Sequence, residues 1–389
     1  MPTWVIPAVG WFVFGIWCLY LLPLWPDLRN RWLTLRAAKL SSPAEWPLLT
    51  VVVPARDEGA KVEPCLQSLL ASDYPRLQII TLDDRSRDET GNVMDRLAAR
   101  DNRLTVIHVH ELPDGWLGKN HAMHLGAAAA GESDWLLFTD GDVIYEPEAL
   151  KLAVKYASAR QLDHLCLNPQ FESGGYWENV LQSYFGFLFL GAARPWLIPT
   201  AFKRAYIGIG AFNLVRRTTY EAVGGHSRIR LDVMDDVHLG KLVKYSGYRQ
   251  DLLFAGSLVR VRWQDSFWGV IRGLEKNGFA SLGYSLPFLI AITFYVLFVV
   301  ATPYVAVCCL RDWRILPYVL TLLLTHVTYG TMSAKFGGGW SVAPMLPIGS
   351  FLLMFAFWRS AVITLRQGGV RWRDTFYSLE NLRASRLKL

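Results

Sequence analysis

Four long stretches without a charged residue constrain the fold of this chain more than any other feature. They cover residues 4–24, 277–310, 315–334 and 336–358. Each exceeds the roughly 18 apolar residues that mark a candidate membrane-spanning helix. Only 19% of the chain is charged, against about 25% in ordinary soluble domains, and the shortage is concentrated in these stretches. The sequence therefore predicts one N-terminal anchor, a soluble domain and about three C-terminal spans.

The composition also gives the expected domain boundaries. The stretch after the first apolar segment has the mixed composition of a globular domain, and the last spans are followed by a basic tail. The expected regions are an anchor with a basic segment at 1–45, a soluble domain at 46–276, a membrane region at 277–365 and a basic tail at 366–389. The five cysteines contain no Cys-x-x-Cys pair, so neither a zinc site nor a disulfide framework is indicated.

The distribution of basic residues predicts where the soluble domain lies. Four basic residues follow the first apolar stretch: Arg29, Arg31, Arg36 and Lys39. The positive-inside rule then places the soluble domain in the cytoplasm, at what we expect to be a bacterial inner membrane. The net charge is +7, but no basic stripe runs through the soluble domain. The charge therefore indicates contact with a lipid bilayer, and no nucleic-acid partner is expected. Four arginines follow the last stretch and leave the side of the tail open: Arg359, Arg366, Arg371 and Arg373.

The soluble domain alternates apolar strands with helical patterns. Short apolar runs predict strands at 48–53, 77–82, 104–109 and 135–139, with helical periodicity between them and at 147–159. This alternation predicts an α/β fold with a parallel sheet covered on both faces.

Acidic residues follow three of these predicted strands, and ligands bind beyond the carboxyl ends of strands in such sheets. The segments are Pro54-Ala55-Arg56-Asp57-Glu58, Asp83-Asp84-Arg85-Ser86 and Asp140-Gly141-Asp142. Carboxylates gathered at one edge repel each other unless a cation or the donor groups of a ligand offset their charge. A divalent ion, with phosphate oxygens as its other ligands, fits that edge.

These motifs resemble those of the family-2 glycosyltransferases of the GT-A fold, over roughly residues 48–280. The resemblance implies a nucleotide diphosphate sugar as donor, with Mg²⁺ or Mn²⁺ held by Asp140 and Asp142. The implied donor-binding residues are Pro54, Arg56, Glu58, Asp83, Asp84, Lys119 and Asp140. Gly118-Lys119-Asn120-His121-Ala122 is similar to the family's lysine-containing segment, and Lys119 at a helix start opposes the helix dipole unless a phosphate binds there.

The resemblance also implies an acceptor side and a catalytic base. Arg216-Arg217 followed by Gly224-Gly225 resembles the acceptor-side segment, and Arg262 and Trp263 resemble the Arg-Trp pair of the processive synthases. Asp235-Asp236 stands where an acidic pair supplies the base. Asp236 is our choice for the base and Asp235 the next candidate, although Asp236 as a helix cap is the alternative.

One departure separates this chain from the processive synthases. Their Gln-x-x-Arg-Trp motif lacks its glutamine here, where the sequence reads Arg260-Val261-Arg262-Trp263. The Trp116-Leu117-Gly118-Lys119 segment and the anchor–domain–spans layout look more like the branch that glycosylates membrane lipids, such as sphingolipid, carotenoid or hopanoid-associated enzymes. That step is analogy with the family. The sequence therefore favours an inverting transfer to a membrane lipid acceptor over polymer synthesis or a non-catalytic scaffold.

Several other features allow two interpretations. His121 and His124 could be a metal pair but have no third ligand at suitable spacing, so ordinary helix residues are favoured. For His238, which follows Asp235-Asp236, a position close to the metal and a position away from it are both open. Gly208-Ile209-Gly210 lacks the third glycine of a dinucleotide fingerprint and is discarded. The uncharged run at 179–193 fits either a helix at the membrane interface or a buried core helix.

Overall fold

The computed structural model describes residues 4–264, 266–372, 375–385 and 387, so Arg373 of the predicted tail lies outside the described residues. The chain forms two compact units. One, here called the helical unit, consists of Met1–Arg29, Phe171–Trp196 and Trp263–Glu380. The other, the sheet unit, consists of Asn30–Gln170, Leu197–Arg262 and Asn381–Leu389. Part of the predicted soluble domain, including the uncharged run at 179–193, thus belongs to the helical unit.

The sheet unit is built on an eight-stranded sheet with the order β3-β2-β1-β4-β7-β6-β8-β5. Its strands are β1 Leu49–Ala55, β2 Leu77–Asp84, β3 Leu104–Val109, β4 Trp135–Phe138, β5 Val143–Tyr145, β6 His164–Phe171, β7 Asn213–Arg216 and β8 Gln250–Val261. The helices with residues in this unit are α2 Leu24–Asn30, α3 Leu33–Ala37, α4 Gly59–Leu70, α5 Thr90–Ala98, α6 Gly118–Ala129, α7 Ala149–Ala159, α9 Arg217–Ala222, α10 Asp235–Tyr245 and α16 Leu379–Ala384. α2 and α16 each span a boundary between the units.

The four strands predicted from apolar runs are present, and they form the parallel half of the sheet. β1 pairs in parallel with β2 and with β4, and β2 with β3. Every residue of β1 is buried, as expected for a central strand covered on both faces. The predicted parallel sheet is confirmed for these four strands but not for the rest of the sheet, because β7 runs antiparallel to β4 and to β6, and β5 antiparallel to β8.

The arrangement of the parallel strands positions the candidate site. The chain runs from β1 outward through β2 to β3 and then returns to the other side of β1 as β4. The strand order therefore reverses between β1 and β4. Such sheets bind ligands where the strand order reverses. The loops after β1, β2 and β4 all leave the sheet at this edge, so the acidic segments that follow these strands lie on one side.

The helical unit contains the apolar helices. They are α1 Val5–Leu21, α8 Tyr176–Ala193, α11 Phe267–Ser281, α12 Leu286–Val296, α13 Thr302–Cys309, α14 Leu316–Lys335 and α15 Leu346–Gln367, with a hairpin of β9 Gly369–Trp372 and β10 Thr375–Ser378. Four helical stretches of the described chain are long and apolar enough to cross a membrane: Val5–Asn30, Leu286–Cys309, Trp313–Lys335 and Trp340–Gln367. One is N-terminal and three are C-terminal, as the sequence predicts.

The uncharged run at 179–193 lies in α8, which packs with the apolar helices. The Tyr20 hydroxyl donates to Leu188 O (3.0 Å), and the Tyr329 hydroxyl donates to Val180 O (3.1 Å). Tyr184 and Phe187 are buried and contact the Tyr329 ring edge-on. The structure therefore makes this segment a helix of the helical unit and not a core helix of the sheet domain.

Candidate functional site

The loops after β1 and β2 are fastened to each other. The Asp57 N–H donates to Ser86 Oγ (3.0 Å), and the Asp57 carboxylate accepts from the Arg87 N–H (2.7 Å). The Glu58 N–H donates to Thr90 Oγ1 (2.9 Å). Arg56 lies 3.8 Å from the Asp57 carboxylate. Pro54 is buried near the end of β1. Its contact with the donor stays a prediction.

Asp83 and Asp84 end β2 and have different partners. The Asp83 carboxylate accepts from the Ser86 N–H (3.2 Å) and lies 3.1 Å from His108 Nδ1 on β3. Asp84 is buried and forms a two-pronged ion pair with Arg85, at 2.7 and 3.1 Å. Neither residue caps the next helix. Asp88 supports the start of α5 instead, by accepting from the Thr90 N–H (3.0 Å) and hydroxyl.

Asp140, Asp142 and Glu58 form an acidic cluster beyond β4. A Cβ at Gly141, between the two aspartates, would lie 3.4 Å from Glu58 Oε2. Burial is the main cause that raises the pKa of Asp142 to about 7, and the charges of Asp140 and Glu58 contribute to that increase. Such a raised pKa is typical of carboxylates that are buried close together and repel each other. A cation beside the cluster would offset the repulsion between these carboxylates.

Lys119, at the start of α6, supplies one positive charge to this cluster. Its Nζ lies 2.6 Å from Asp140 Oδ1 and 3.5 Å from Asp235 Oδ2. Burial alone would lower the pKa of Lys119, but the charges of Asp140, Asp235 and Asp236 outweigh it and raise the pKa well above its ordinary value. The ammonium therefore joins the carboxylate after β4 to the acidic pair at the start of α10.

Asp235 and Asp236 begin α10, whose N-cap is Met234. The Asp236 carboxylate accepts from its neighbour Val237 N–H at 2.8 Å, so it is a residue of the first turn and not the cap. Burial raises the pKa of Asp236, and the Lys119 charge offsets part of that increase. Asp235 is almost fully buried and closer to Lys119.

The segment Gly208-Ile209-Gly210 brings this helix start against the β4 edge. A Cβ at Gly208 would lie 1.7 Å from Asp236 O, which is a clash with backbone. A Cβ at Gly210 would lie 2.6 Å from Asp140 Oδ2 and 3.4 Å from Asp236 Oδ2. The two carboxylates thus face the same glycine, and the Asp140 N–H donates to Gly210 O (3.1 Å). Glycine is needed at both positions because backbone and carboxylates approach so closely.

The structure does not bring Arg216 and Arg217 to this cluster. Arg216 pairs with Trp135 at the start of β4, the opposite end from Asp140. Its guanidinium lies 4.6 Å from the Trp135 ring centroid and donates to Leu162 O (3.1 Å). Arg217 pairs with Glu221 (2.6 Å) one helical turn later. Both contacts are structural, so the interpretation of this pair as acceptor-side residues is not supported by its position.

Arg262 and Trp263 lie on either side of the boundary between the two units. Arg262 is the exposed last residue of its segment in the sheet unit. Trp263 belongs to the helical unit, where its ring centroid lies 4.8 Å from that of Phe185 and 6.1 Å from that of Phe171. Their acceptor-side role stays a prediction.

The three histidines singled out in the sequence have structural partners. His121 and His124 contact the Trp116 ring, at centroid distances of 5.4 and 5.1 Å. Burial lowers the pKa of both, so both are held neutral in an aromatic environment. His238 is hydrogen-bonded through Nδ1 to Asp232.

A metal ion fits this site only if the ligand completes its coordination. In the described part of the chain, no group of three or more His, Cys, Asp or Glu side chains could hold a metal ion by itself. Asp140 and Asp142 offer hard carboxylate oxygens, and Mg²⁺ or Mn²⁺ in nucleotide sites takes its other ligands from phosphate and water. The self-repelling cluster around Asp142 is consistent with that arrangement.

Comparisons with known proteins agree with the fold. Residues 50–224 match the family model described as "Glycosyl transferase family 2". The chain is 23% identical over 342 residues to the 4,4'-diaponeurosporenoate glycosyltransferase of Staphylococcus aureus strain MRSA252, covering 85% of this chain and 88% of that protein. The same enzyme from strain bovine RF122 / ET3-1 matches with equal identity and coverage.

A solved structure gives the same result for the fold. It is the mannosyltransferase PcManGT from Pyrobaculum calidifontis, in complex with GDP-Man and Mn2+. The TM-score is 0.54 at 18% sequence identity, and the alignment covers 93% of this chain and 99% of that chain. At this identity the likeness concerns the fold, and the fold is that of the GT-A enzymes.

Proposed function

Because the chain is a glycosyltransferase that carries a family 2 domain, we propose that it moves a sugar from a nucleotide diphosphate donor to a membrane lipid on the cytoplasmic face of a bacterial inner membrane. The observation that carries the proposal is the convergence of Lys119, Asp140 and Asp236 beyond the carboxyl ends of β1, β2 and β4. A lipid acceptor is supported by the four apolar helices and by the carotenoid acid in the relative's name.

In this proposal the donor-side residues bind the nucleotide diphosphate. Asp83 and Asp84 lie at the end of β2, where they can accept hydrogen bonds from the base and ribose. Asp140 and Asp142 would hold Mg²⁺ or Mn²⁺, which supplies Lewis-acid stabilisation to the leaving diphosphate. Lys119 supplies a positive charge within reach of Asp140, so it can stabilise negative charge that develops on the phosphate oxygens.

Asp236 would act as the general base. Direct displacement forms a bond from the acceptor oxygen to the anomeric carbon and breaks the bond from that carbon to the diphosphate, with inversion. The proton of the acceptor hydroxyl passes to the Asp236 carboxylate as the new bond forms. Asp236 is partly exposed and Asp235 is buried against Lys119, which favours Asp236 of the two.

A donor screen tests this proposal. The purified full chain is incubated with UDP-glucose, UDP-GlcNAc or GDP-mannose, each with Mn²⁺ and with a total bacterial lipid extract. We expect release of the nucleoside diphosphate from one donor and a lipid whose mass increases by one sugar residue. A product that grows by many sugars would favour a polysaccharide synthase, and no donor consumption with any nucleotide would favour a scaffold that kept the fold.

A further inference from the structure

Asn120 makes an unusual set of contacts for a residue that the predicted site leaves unassigned. It follows Lys119 in the first turn of α6 and is fully buried. Its amide nitrogen Nδ2 lies 2.7 Å from Ile229 O, 3.2 Å from Arg230 O and 2.9 Å from Asp232 O. The backbone adds a fourth contact, because the Leu117 N–H donates to Arg230 O at 2.8 Å. The start of α6 is thus fastened to the segment that leads into α10.

The orientation of the Asn120 amide follows from its partners. Carbonyl oxygens only accept hydrogen bonds, so the NH₂ group and not the oxygen has to face Ile229, Arg230 and Asp232. This orientation leaves Oδ1 buried without a hydrogen-bond partner among the described residues. A buried acceptor without a partner costs stability. The two N–H groups of the amide serve three carbonyl oxygens, so one N–H is shared between two of them, while Oδ1 makes no hydrogen bond to the described residues.

The held segment connects directly to the acidic pair. Asp232, whose carbonyl accepts from Asn120, uses its carboxylate to accept from the Met234 N–H at 3.0 Å and to contact His238 Nδ1. Met234 is the N-cap of α10. The first turn of that helix is therefore fixed through Asp232, three residues before it begins.

We infer that Asn120 is a positioning residue that holds the start of α10, and with it Asp236, in register with the donor side of the site. Two consecutive residues of α6 then act on the same helix start. Lys119 attracts Asp235 by charge, and Asn120 fixes the preceding segment by hydrogen bonds. The inference rests on the proposed role of Asp236 as base. Asn120 itself touches no reacting group.

Asn120→Asp is the closest test, because the carboxylate has the same shape but cannot donate to the three carbonyls. Asn120→Ala removes the same donors without adding charge, and it replaces the first variant if that one does not fold. Ser133→Ala is the matched control, since it removes a buried hydroxyl that bonds Ala130 O (2.7 Å) beside the start of β4, the end opposite the site.

Two measurements are compared across these variants. Hydrogen–deuterium exchange of the full chain in detergent should speed up over residues 229–238 in the Asn120 variants and not in Ser133→Ala. Turnover, measured as release of UDP or GDP from the donor panel, should fall about tenfold or more, while the affinity for UDP or GDP with Mn²⁺ changes by less than about twofold.

Three outcomes overturn the inference. The first is unchanged exchange over residues 229–238 in the Asn120 variants, and the second is unchanged turnover. The third is a loss of turnover in the Asn120 variants no greater than that of Ser133→Ala at an equal loss of thermal stability. Asp236→Asn in the same assay separates this from failure of the proposed function. If Asp236→Asn keeps its turnover, the base is elsewhere and the role of Asn120 in positioning it falls too. If Asp236→Asn loses turnover but exchange over residues 229–238 is unchanged in the Asn120 variants, the base stands and only the positioning role of Asn120 is refuted.

Discussion

Asp236 has a geometry that separates a chemical role from a structural one. It lies in the first turn of α10 behind the N-cap Met234, and its carboxylate accepts from the Val237 N–H. Asparagine can keep that hydrogen bond but cannot take a proton. We therefore expect Asp236→Asn to lower turnover about a hundredfold or more and to leave nucleotide affinity and the melting temperature nearly unchanged. Near wild-type turnover in a steady-state assay would move the base to Asp235.

We expect donor binding to depend on pH through His108. Its Nδ1 lies 3.1 Å from Asp83 Oδ2 and its Nε2 lies 3.0 Å from Asp95 Oδ1. Carboxylates only accept, so both contacts are hydrogen bonds only when the ring is protonated. The hydrogen bond to Asp83 is the main cause that raises the pKa of His108. The form in which protonated His108 donates to both Asp83 and Asp95 is therefore present at low pH, and it is lost as the pH rises through the raised pKa of His108.

If Asp83 binds the donor, affinity should fall across that same rise in pH. Calorimetry with UDP or GDP and Mn²⁺, from about pH 6 to 9, should show weaker binding at the alkaline end for the wild type. His108→Gln should be weaker at low pH and flat over the range. An equal pH profile in the wild type and the variant would assign the dependence to the nucleotide or to another group.

Individual residues differ in how far the sequence predicts them. Asp140, Asp142, Lys119 and Asp235-Asp236 come together as the motifs imply, because they lie at strand ends and helix starts that converge at one edge of the sheet. Asn120 was missed because its role depends on carbonyls more than a hundred residues away. The motif alone does not reveal that Arg216 pairs with Trp135 at the far end of β4 from Asp140, because that position depends on the antiparallel pairing of β7 with β4; its acceptor-side role stays a prediction.

The Gly208–Gly210 segment shows how one short element fixes the distance between two others. A side chain at Gly208 meets backbone, whereas a side chain at Gly210 meets the end of the Asp140 carboxylate. We expect Gly208→Ala to prevent folding, and Gly210→Ala to fold but lose most turnover because Asp140 has to move. Gly186→Ala is the control, because a Cβ added there would meet no other described residue within 4 Å beyond its own helical turn. Full activity in Gly210→Ala would show that the contact between Gly210 and Asp140 does not matter.

At the level of elements, the sequence predicts those whose pattern is local. The parallel strands appear as apolar runs and the helices between them as periodic segments, and both are found within a few residues of their predicted bounds. The other four strands of the sheet were not predicted. β6 contains Pro169, and β5 and β7 are only three and four residues long. The part of α8 from Tyr184 to Ala193 is apolar on every side, so periodicity could not show what the helix packs against.

Arg31 shows a limit of counting charges by position. It was counted with the basic residues that follow the first apolar stretch, but it is buried in the sheet unit and bonds Asp251 at 2.7 Å. The second Asp251 oxygen accepts from the Tyr156 hydroxyl at 2.8 Å. Arg31 therefore stabilises the fold, and the positive-inside argument rests on Arg29, Arg36 and Lys39.

For the molecule as a whole, the metal is the first requirement to test. Donor binding should need a divalent cation, because the cluster of Asp140, Asp142 and Glu58 repels itself and would also repel a diphosphate. We expect Asp142→Asn to weaken binding of UDP or GDP in Mn²⁺, and EDTA to do the same to the wild type. Tight binding of the nucleotide by the wild type in excess chelator would show that Lys119 alone suffices and that no metal is held.

The central claim is transfer of a sugar from a cytoplasmic nucleotide donor to a membrane lipid. Nucleotide sugars do not cross a sealed bilayer, so labelled donor added outside vesicles reaches only a site on their outer face. Inside-out bacterial vesicles containing the full chain should incorporate label into lipid extracted with organic solvent, and right-side-out vesicles should not. Incorporation of label into the lipid of right-side-out vesicles alone, or no label in the lipid of either kind of vesicle, would contradict the account.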